Sequence, residues 1–191
     1  MQHNPSWDFR LWRLEDLPLH HFPPSCAHLL TNTRLHWVLK TDIARWLLVW
    51  LYGGVYADTD VECVKPMDRF LSDRAFCSHS ITPTIIGNAI FGAEKGYGLF
   101  LDIAYTHADK IAADIDAANK NIVDYSVNLA GKMLVNCDKI YPREFFYPVS
   151  WNERKHGRKV SSVDYPDAYC IHHWSGMDDD GWYNETIGKN K

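Results

Sequence analysis

Leu51-Tyr52-Gly53-Gly54-Val55-Tyr56-Ala57-Asp58-Thr59-Asp60 is the stretch on which the fold turns. It closes a helix, makes a sharp turn and delivers two carboxylates at the end of a short strand. Upstream, Ile43, Trp46, Leu47 and Trp50 recur at i, i+3, i+4 and i+7, which predicts an amphipathic helix from about Leu35 to Tyr52. Gly53-Gly54 stops it, because glycine readily takes the left-handed conformation that helix C-termini use. Val55-Tyr56-Ala57 then reads as a buried strand, with Asp58-Thr59-Asp60 at its carboxyl end.

Working outward, a short helix is expected from about Cys26 to Asn32 and strand-like stretches over Trp7–Leu14 and Val61–Val64. Ile81–Phe91 reads as strand and loop around Gly87-Asn88. Helices are expected over about Tyr97–Ala118 and Ile122–Val135, and late strands at Phe145–Pro148 and Tyr169–Trp174. Helices alternating with short apolar strands indicate an α/β fold, a mixed twisted sheet flanked by helices. No repeat or linker divides the 191 residues, so one domain over 1–191 is expected.

Composition narrows the function classes. A net charge of −4 and a pI near 6.2 argue against nucleic-acid binding, which needs a basic stripe to neutralise phosphates. The basic cluster Arg154–Lys159 reads as a solvated loop. Five cysteines, with no Cys-x-x-Cys pair, fit reduced thiols better than a disulfide framework. With no signal peptide or membrane span in view (the longest apolar run is Trp46–Tyr52), a soluble cytoplasmic chain is expected. Eight Trp and ten Tyr are enough for a core, with rings left over to stack against a sugar or a base.

Two carboxylates at i and i+2 past a strand suit a hard divalent cation, Mn²⁺ or Mg²⁺. Such ions take oxygen ligands and are commonly held by one or two carboxylates plus substrate phosphates. So placed, the ion neutralises a diphosphate leaving group. Asp42 and Arg45 are three apart on the preceding helix and share one face. The guanidinium fork suits phosphate or sugar hydroxyls and the carboxylate accepts from hydroxyls; the alternative is a surface salt bridge.

The order Thr41-Asp42, Arg45, helix, Gly53-Gly54, Val55-Tyr56, Asp58-x-Asp60 resembles the glycosyltransferases that carry a sugar-binding DXD region. These include capsular-polysaccharide mannosyl-, galactosyl- and glucosyltransferases and, more distantly, the clostridial glucosylating toxins. Looser similarity covers Asn4-Pro5 to Leu11-Trp12, Lys65–Asp68, Asn88–Ala93, Phe145–Pro148 and Ile171–Trp174. The resemblance implies a GT-A-like fold, a nucleotide diphosphate sugar donor (UDP- or GDP-sugar), a carbohydrate or protein acceptor, and retention of configuration. It implies Asp58 and Asp60 as metal ligands, Asp42 and Arg45 as sugar-binding residues, Asn88 facing the reacting centre or the acceptor, and a late His as third ligand. The pattern aromatic-x-Ile-His-x-Trp selects His172, while one keyed on Gly176 selects His173.

Two departures stand out. The family's Ser-Trp after this His is replaced by Ser175, a run Asp178–Asp180 and a displaced Trp182. The family's first strand, which lines the base pocket, is not seen before Asn4-Pro5: either the stretch is absent or lost, or Trp7, Trp12 and the Pro-rich segment substitute for it. Two other readings compete. Haloacid-dehalogenase-like phosphatases would use Asp58 as nucleophile, but want Thr or Val where Glu62 stands. A non-catalytic carbohydrate- or nucleotide-binding module would keep the fold without turnover.

Overall fold

The computed structural model describes residues 3–80, 84–151, 153 and 162–175. Two helices open the fold, α1 (Pro24–Thr31) and α2 (Trp37–Tyr52). Pro24 begins α1, where a missing N–H costs nothing. His36 caps α2, its imidazole accepting from the Val38 N–H at 3.3 Å. Leu39, Ile43, Trp46 and Leu47 are fully buried along α2. Trp46 stacks on Phe91 at 4.0 Å between ring centroids and meets Phe100 at 5.2 Å. Side chains of this size stabilise by about 1.5–3 kcal/mol each when buried, so the stripe ties α2 to the sheet.

The helix ends as expected. Gly53 donates its N–H to Val49 at 2.8 Å with φ 73°, and Gly54 follows at φ 95°. Strand β1 (Gly54–Ala57) starts at once, so Asp58 is placed by a turn without slack. The remaining strands are β2 (Val61–Cys63), β3 (Ala75–Ser78), β4 (Ile90–Ala93), β5 (Lys139–Tyr141) and β6 (Cys170–His172). The main sheet has the order β1-β4-β3-β5, antiparallel except for the parallel β3–β5 pair, and β2 pairs antiparallel with β6.

Alternation along each strand splits the core in two. Tyr56, Ala75, Cys77, Phe91, Ala93 and Ile140 face the helices. Val55, Phe76, Ile90 and Tyr141 face a second cluster built on Phe70, Phe146 and Tyr147. The α-helices thus flank one face of the mixed sheet, and 3₁₀ turns with the β2–β6 ribbon cover the other. The chain is an α/β fold of the kind a GT-A-like domain has. Among the described residues no helix is long and apolar enough to cross a membrane.

Several elements differ from the sequence expectation. Trp7–Leu14 forms no strand; its rings are held by side chains, the Trp7 indole on Asp68 at 2.9 Å and Trp12 stacked on Tyr52 at 5.5 Å. The helix expected through Ala118 breaks into α3 (Gly98–Ala113) and α4 (Ile115–Lys120), because Asp114 leaves helical geometry to cap the Ala117 N–H at 2.9 Å. The next helix breaks at Ser126 into α5 (Ile122–Tyr125) and α6 (Val127–Leu134). Phe145–Pro148 is not a strand but follows from a 3₁₀ turn at Arg143–Phe145. Residues 81–83, Arg154–Lys159, Asp178–Asp180 and Trp182 lie outside the described residues.

A Cβ at Gly53 would stand 2.8 Å from the Lys95 backbone nitrogen, whereas one at Gly98 meets nothing within 4 Å. Gly53→Ala is expected to destabilise by about 1–3 kcal/mol, combining positive φ with overlap. At about 2–4 °C per kcal/mol for a chain of this size, thermal denaturation should show a drop of roughly 2–12 °C. Gly98→Ala should leave the midpoint unchanged or raise it.

Candidate functional site

Helix α2 brings Arg45 beneath the end of β1, and the guanidinium joins three elements there. One terminal nitrogen pairs with Asp42 Oδ1 at 2.9 Å. The other reaches Asp58 Oδ1 at 3.2 Å and donates to the Asn88 carbonyl at 2.8 Å. Arg45 and Asp42 are only 7% and 1% exposed. The surface salt-bridge alternative for this i, i+3 pair is therefore replaced by a buried one. Removing one partner from a buried pair leaves an uncompensated charge, at a cost of about 3–5 kcal/mol.

Asn88 sits just before β4. Its amide donates to Asp42 Oδ1 at 3.2 Å and to the Ser126 hydroxyl at 3.5 Å. Asp42, Arg45, Asp58 and Asn88 therefore meet. Behind them, the Tyr147 hydroxyl accepts from the backbone N–H groups of Ala89 and Ile90 at 3.0 and 3.2 Å. Gly87 allows this approach, since a Cβ there would lie 2.5 Å from the Tyr147 ring and hydroxyl.

The acidic pair is fixed separately at each member. Asp58 accepts from the Tyr56 hydroxyl at 2.5 Å, and its own N–H donates to the Ala89 carbonyl at 2.8 Å. Asp60 accepts from the Ser175 N–H at 2.9 Å, and its other oxygen lies 3.2 Å from His172 Nε2. Strand register separates the two histidines: His172 pairs opposite Val61, next to Asp60, while His173 turns to the Glu62 carboxylate at 2.9 Å. One ligand atom each from Asp58, Asp60 and His172 lie within 4.8 Å of one another.

Electrostatics differ across the cluster. Burial pushes the Asp42 and Asp58 carboxyls up, opposed in both by Arg45 and at Asp58 also by the Tyr56 hydroxyl. Asp60 is pulled down: burial works against its charge, but His172 and the Ser175 N–H outweigh it. Burial likewise raises the Tyr56 phenol, which keeps its proton on the Asp58 bond. These groups line a cavity of about 610 Å³, walled by Trp12, Trp37, Ile122, Val123 and Trp174. A neighbouring cavity of about 660 Å³ shares Trp12, Tyr56 and Thr59 with it and adds Trp7 and Arg10. A polar floor under aromatic walls is the usual build of a small-molecule site.

Sequence reasoning missed Ser126, Tyr147 and the role of Trp174. Trp174 takes φ 56°, costly for a bulky residue, and its indole donates to the Val149 carbonyl at 2.9 Å. That conformation ends β6 and lays the ring 4.1 Å from the His172 ring. The only sequence signal was an unspecific Tyr-Pro and a Trp near two histidines. Ser175 reaches the site through its backbone on Asp60.

Residues 2–77 match the family described as "Glycosyltransferase sugar-binding region containing DXD motif". Over this region the chain is similar to the DXD glycosyltransferases, which supports that family for it. Among curated relatives it is 43% identical over 56 residues to the inositol phosphoceramide mannosyltransferase 1 of Schizosaccharomyces pombe, covering 29% of this chain and 18% of that one. It is 23% identical over 183 residues to the human alpha-1,4-N-acetylglucosaminyltransferase, covering 88% of this chain and 51% of the relative. The chain thus spans about half, or less, of the DXD relatives it matches. No solved structure gives a significant match.

Arg45→Met is expected to lose about 3–5 kcal/mol in urea unfolding, because it strands Asp42. Asp42, already pushed up by burial, would titrate higher still without Arg45, so this variant's stability should fall as pH rises through the acid range more than the wild type's does. Adding Asp42→Asn to Arg45→Met should recover part of the loss and weaken that dependence, the remainder belonging to Asp58.

Proposed function

We propose that this chain is one glycosyltransferase domain that moves a sugar from a nucleotide diphosphate sugar to an acceptor, with a divalent ion held by Asp58, Asp60 and His172. The observation that carries this reading is the convergence of those three side chains, within 4.8 Å, at a cavity floored by Asp42 and Arg45. Two carboxylate oxygens and an imidazole nitrogen fit Mn²⁺ well, and Mg²⁺ through the carboxylates. A protein set of three leaves coordination positions for phosphate oxygens and water. Bound there, the ion supplies charge neutralisation to the departing diphosphate.

The chain's own residues do the rest. Arg45 holds Asp58 in place while its pairing fixes Asp42, whose carboxylate accepts from sugar hydroxyls. Asn88, anchored on Asp42 and Ser126, presents its side chain toward the reacting carbon or the acceptor. Asp60, kept ionised by His172 and the Ser175 N–H, supplies charge next to the diphosphate. Trp12 and Trp174 offer flat faces for the sugar or the base and exclude water. We further propose retention of anomeric configuration, as the family resemblance implies. The relatives' names cover mannosyl and N-acetylglucosaminyl transfer, so GDP- and UDP-sugars are the donors to try first.

The phosphatase reading is disfavoured by Asp58 itself, one of whose oxygens is engaged by both Tyr56 and Arg45. A nucleophile so held is a poor one. Asp60→Asn is expected to lower Mn²⁺-dependent hydrolysis or transfer from UDP- and GDP-sugars by about 100-fold or more, with an unchanged melting temperature. Full activity in that variant would overturn the metal assignment. A folded wild-type protein that turns over no donor, but is stabilised by one with Mn²⁺, would point to the binding-module reading.

A further inference from the structure

Four of the five cysteines meet in pairs. Cys77 on β3 and Cys137 ahead of β5 are near enough to shift each other's thiols. Cys63 and Cys170 stand directly opposite each other in the β2–β6 ribbon, with their sulfurs 3.3 Å apart. Count and spacing in the sequence fit reduced thiols, and all five cysteines are free, yet register sets Cys63 and Cys170 face to face. Opposed residues of an antiparallel pair have Cα atoms about 4.5–5.5 Å apart, inside the roughly 4.4–6.8 Å that a disulfide spans. The sulfurs need close only from 3.3 Å to the bond length of about 2.05 Å, within reach of small side-chain rotations. Cys170 is fully buried, with the Met67 sulfur 3.6 Å away, and Cys63 is half-buried at the open side.

From this geometry we infer that Cys63 and Cys170 form a dithiol–disulfide site that takes a small disulfide such as oxidised glutathione as co-reactant. The half-buried Cys63 thiolate attacks the reagent, forming a mixed disulfide and releasing one glutathione thiol. The Cys170 thiolate then attacks the Cys63 sulfur and expels the second. Two protein thiols are oxidised, one glutathione disulfide is reduced to two thiols, and the two protons lost by the protein thiols end, through solvent, on the two glutathione sulfurs. The bond would fix the ribbon two residues from His172, whose partner Val61 adjoins Asp60. It does not depend on the glycosyltransferase reading, because its formation is read chemically.

The test uses the full chain in a series of glutathione redox buffers, followed by alkylation of remaining thiols and peptide mapping by mass spectrometry. A Cys63–Cys170 peptide is expected in oxidising buffers and absent from Cys63→Ser and Cys170→Ala proteins. With about 2–4 kcal/mol typical of a long closed loop and about 2–4 °C per kcal/mol, the oxidised protein should melt roughly 4–16 °C higher. Both variants should lose that increment, whatever happens at Cys77 and Cys137. Full alkylation of Cys63 and Cys170 in the most oxidising buffer, or cross-linking only between other cysteines, would overturn the proposal.

Discussion

A single buried cation holds the site together. The Arg45 guanidinium comes from α2, yet its partners lie on that helix, on the turn after β1 and on the loop before β4. Placing two carboxylates and an arginine in a largely dry setting is expensive, and the cost is offset only when hydrogen bonds saturate the fork. The Asn88 carbonyl accepts from the fork, and the Tyr56 hydroxyl donates to its Asp58 partner. Movement of any one element therefore breaks bonds in the other two. A lysine could not do the same, since it lacks the planar fork.

Around this centre the fold provides rigidity from both faces of the sheet. The Trp46–Phe91–Phe100 contacts fix α2 against β4 from the helical side. Tyr147 fixes the start of β4 from the opposite side through two backbone bonds, which only a glycine at position 87 permits. Asn88 lies between these supports, and its orientation follows from packing on either side.

What could be read from the sequence was what is locally encoded. Helix α2, the Gly53-Gly54 stop and the delivery of Asp58 and Asp60 depend on neighbours a few residues apart. Strands β3 and β5 escaped notice: β3 is buried on both faces and shows no polar alternation, and β5 has only three residues. The Trp7–Leu14 segment misled because its aromatic residues suit strands, whereas here they bind distant side chains. Ser126 and Tyr147 reach Asn88 from far along the chain, so no spacing announces them. Which of His172 and His173 lies beside Asp60 follows from the pairing partner of β6, which no local pattern shows.

That pairing has a consequence for how such a chain can vary. Only three residue pairs hold β2 to β6, and Asp60 and His172 stand at the same end of them. Sliding one strand by a single position turns every side chain to the other face, so His172 would exchange places with a neighbour. The exposed turns of the excursion between the two strands obey no such rule, because lengthening a surface loop costs little, whereas β3, β4, β5 and the helices within it are held by the core. The molecule should therefore accept inserted residues in the exposed turns of its middle, and almost none within the core elements there or within a few positions of β2 and β6.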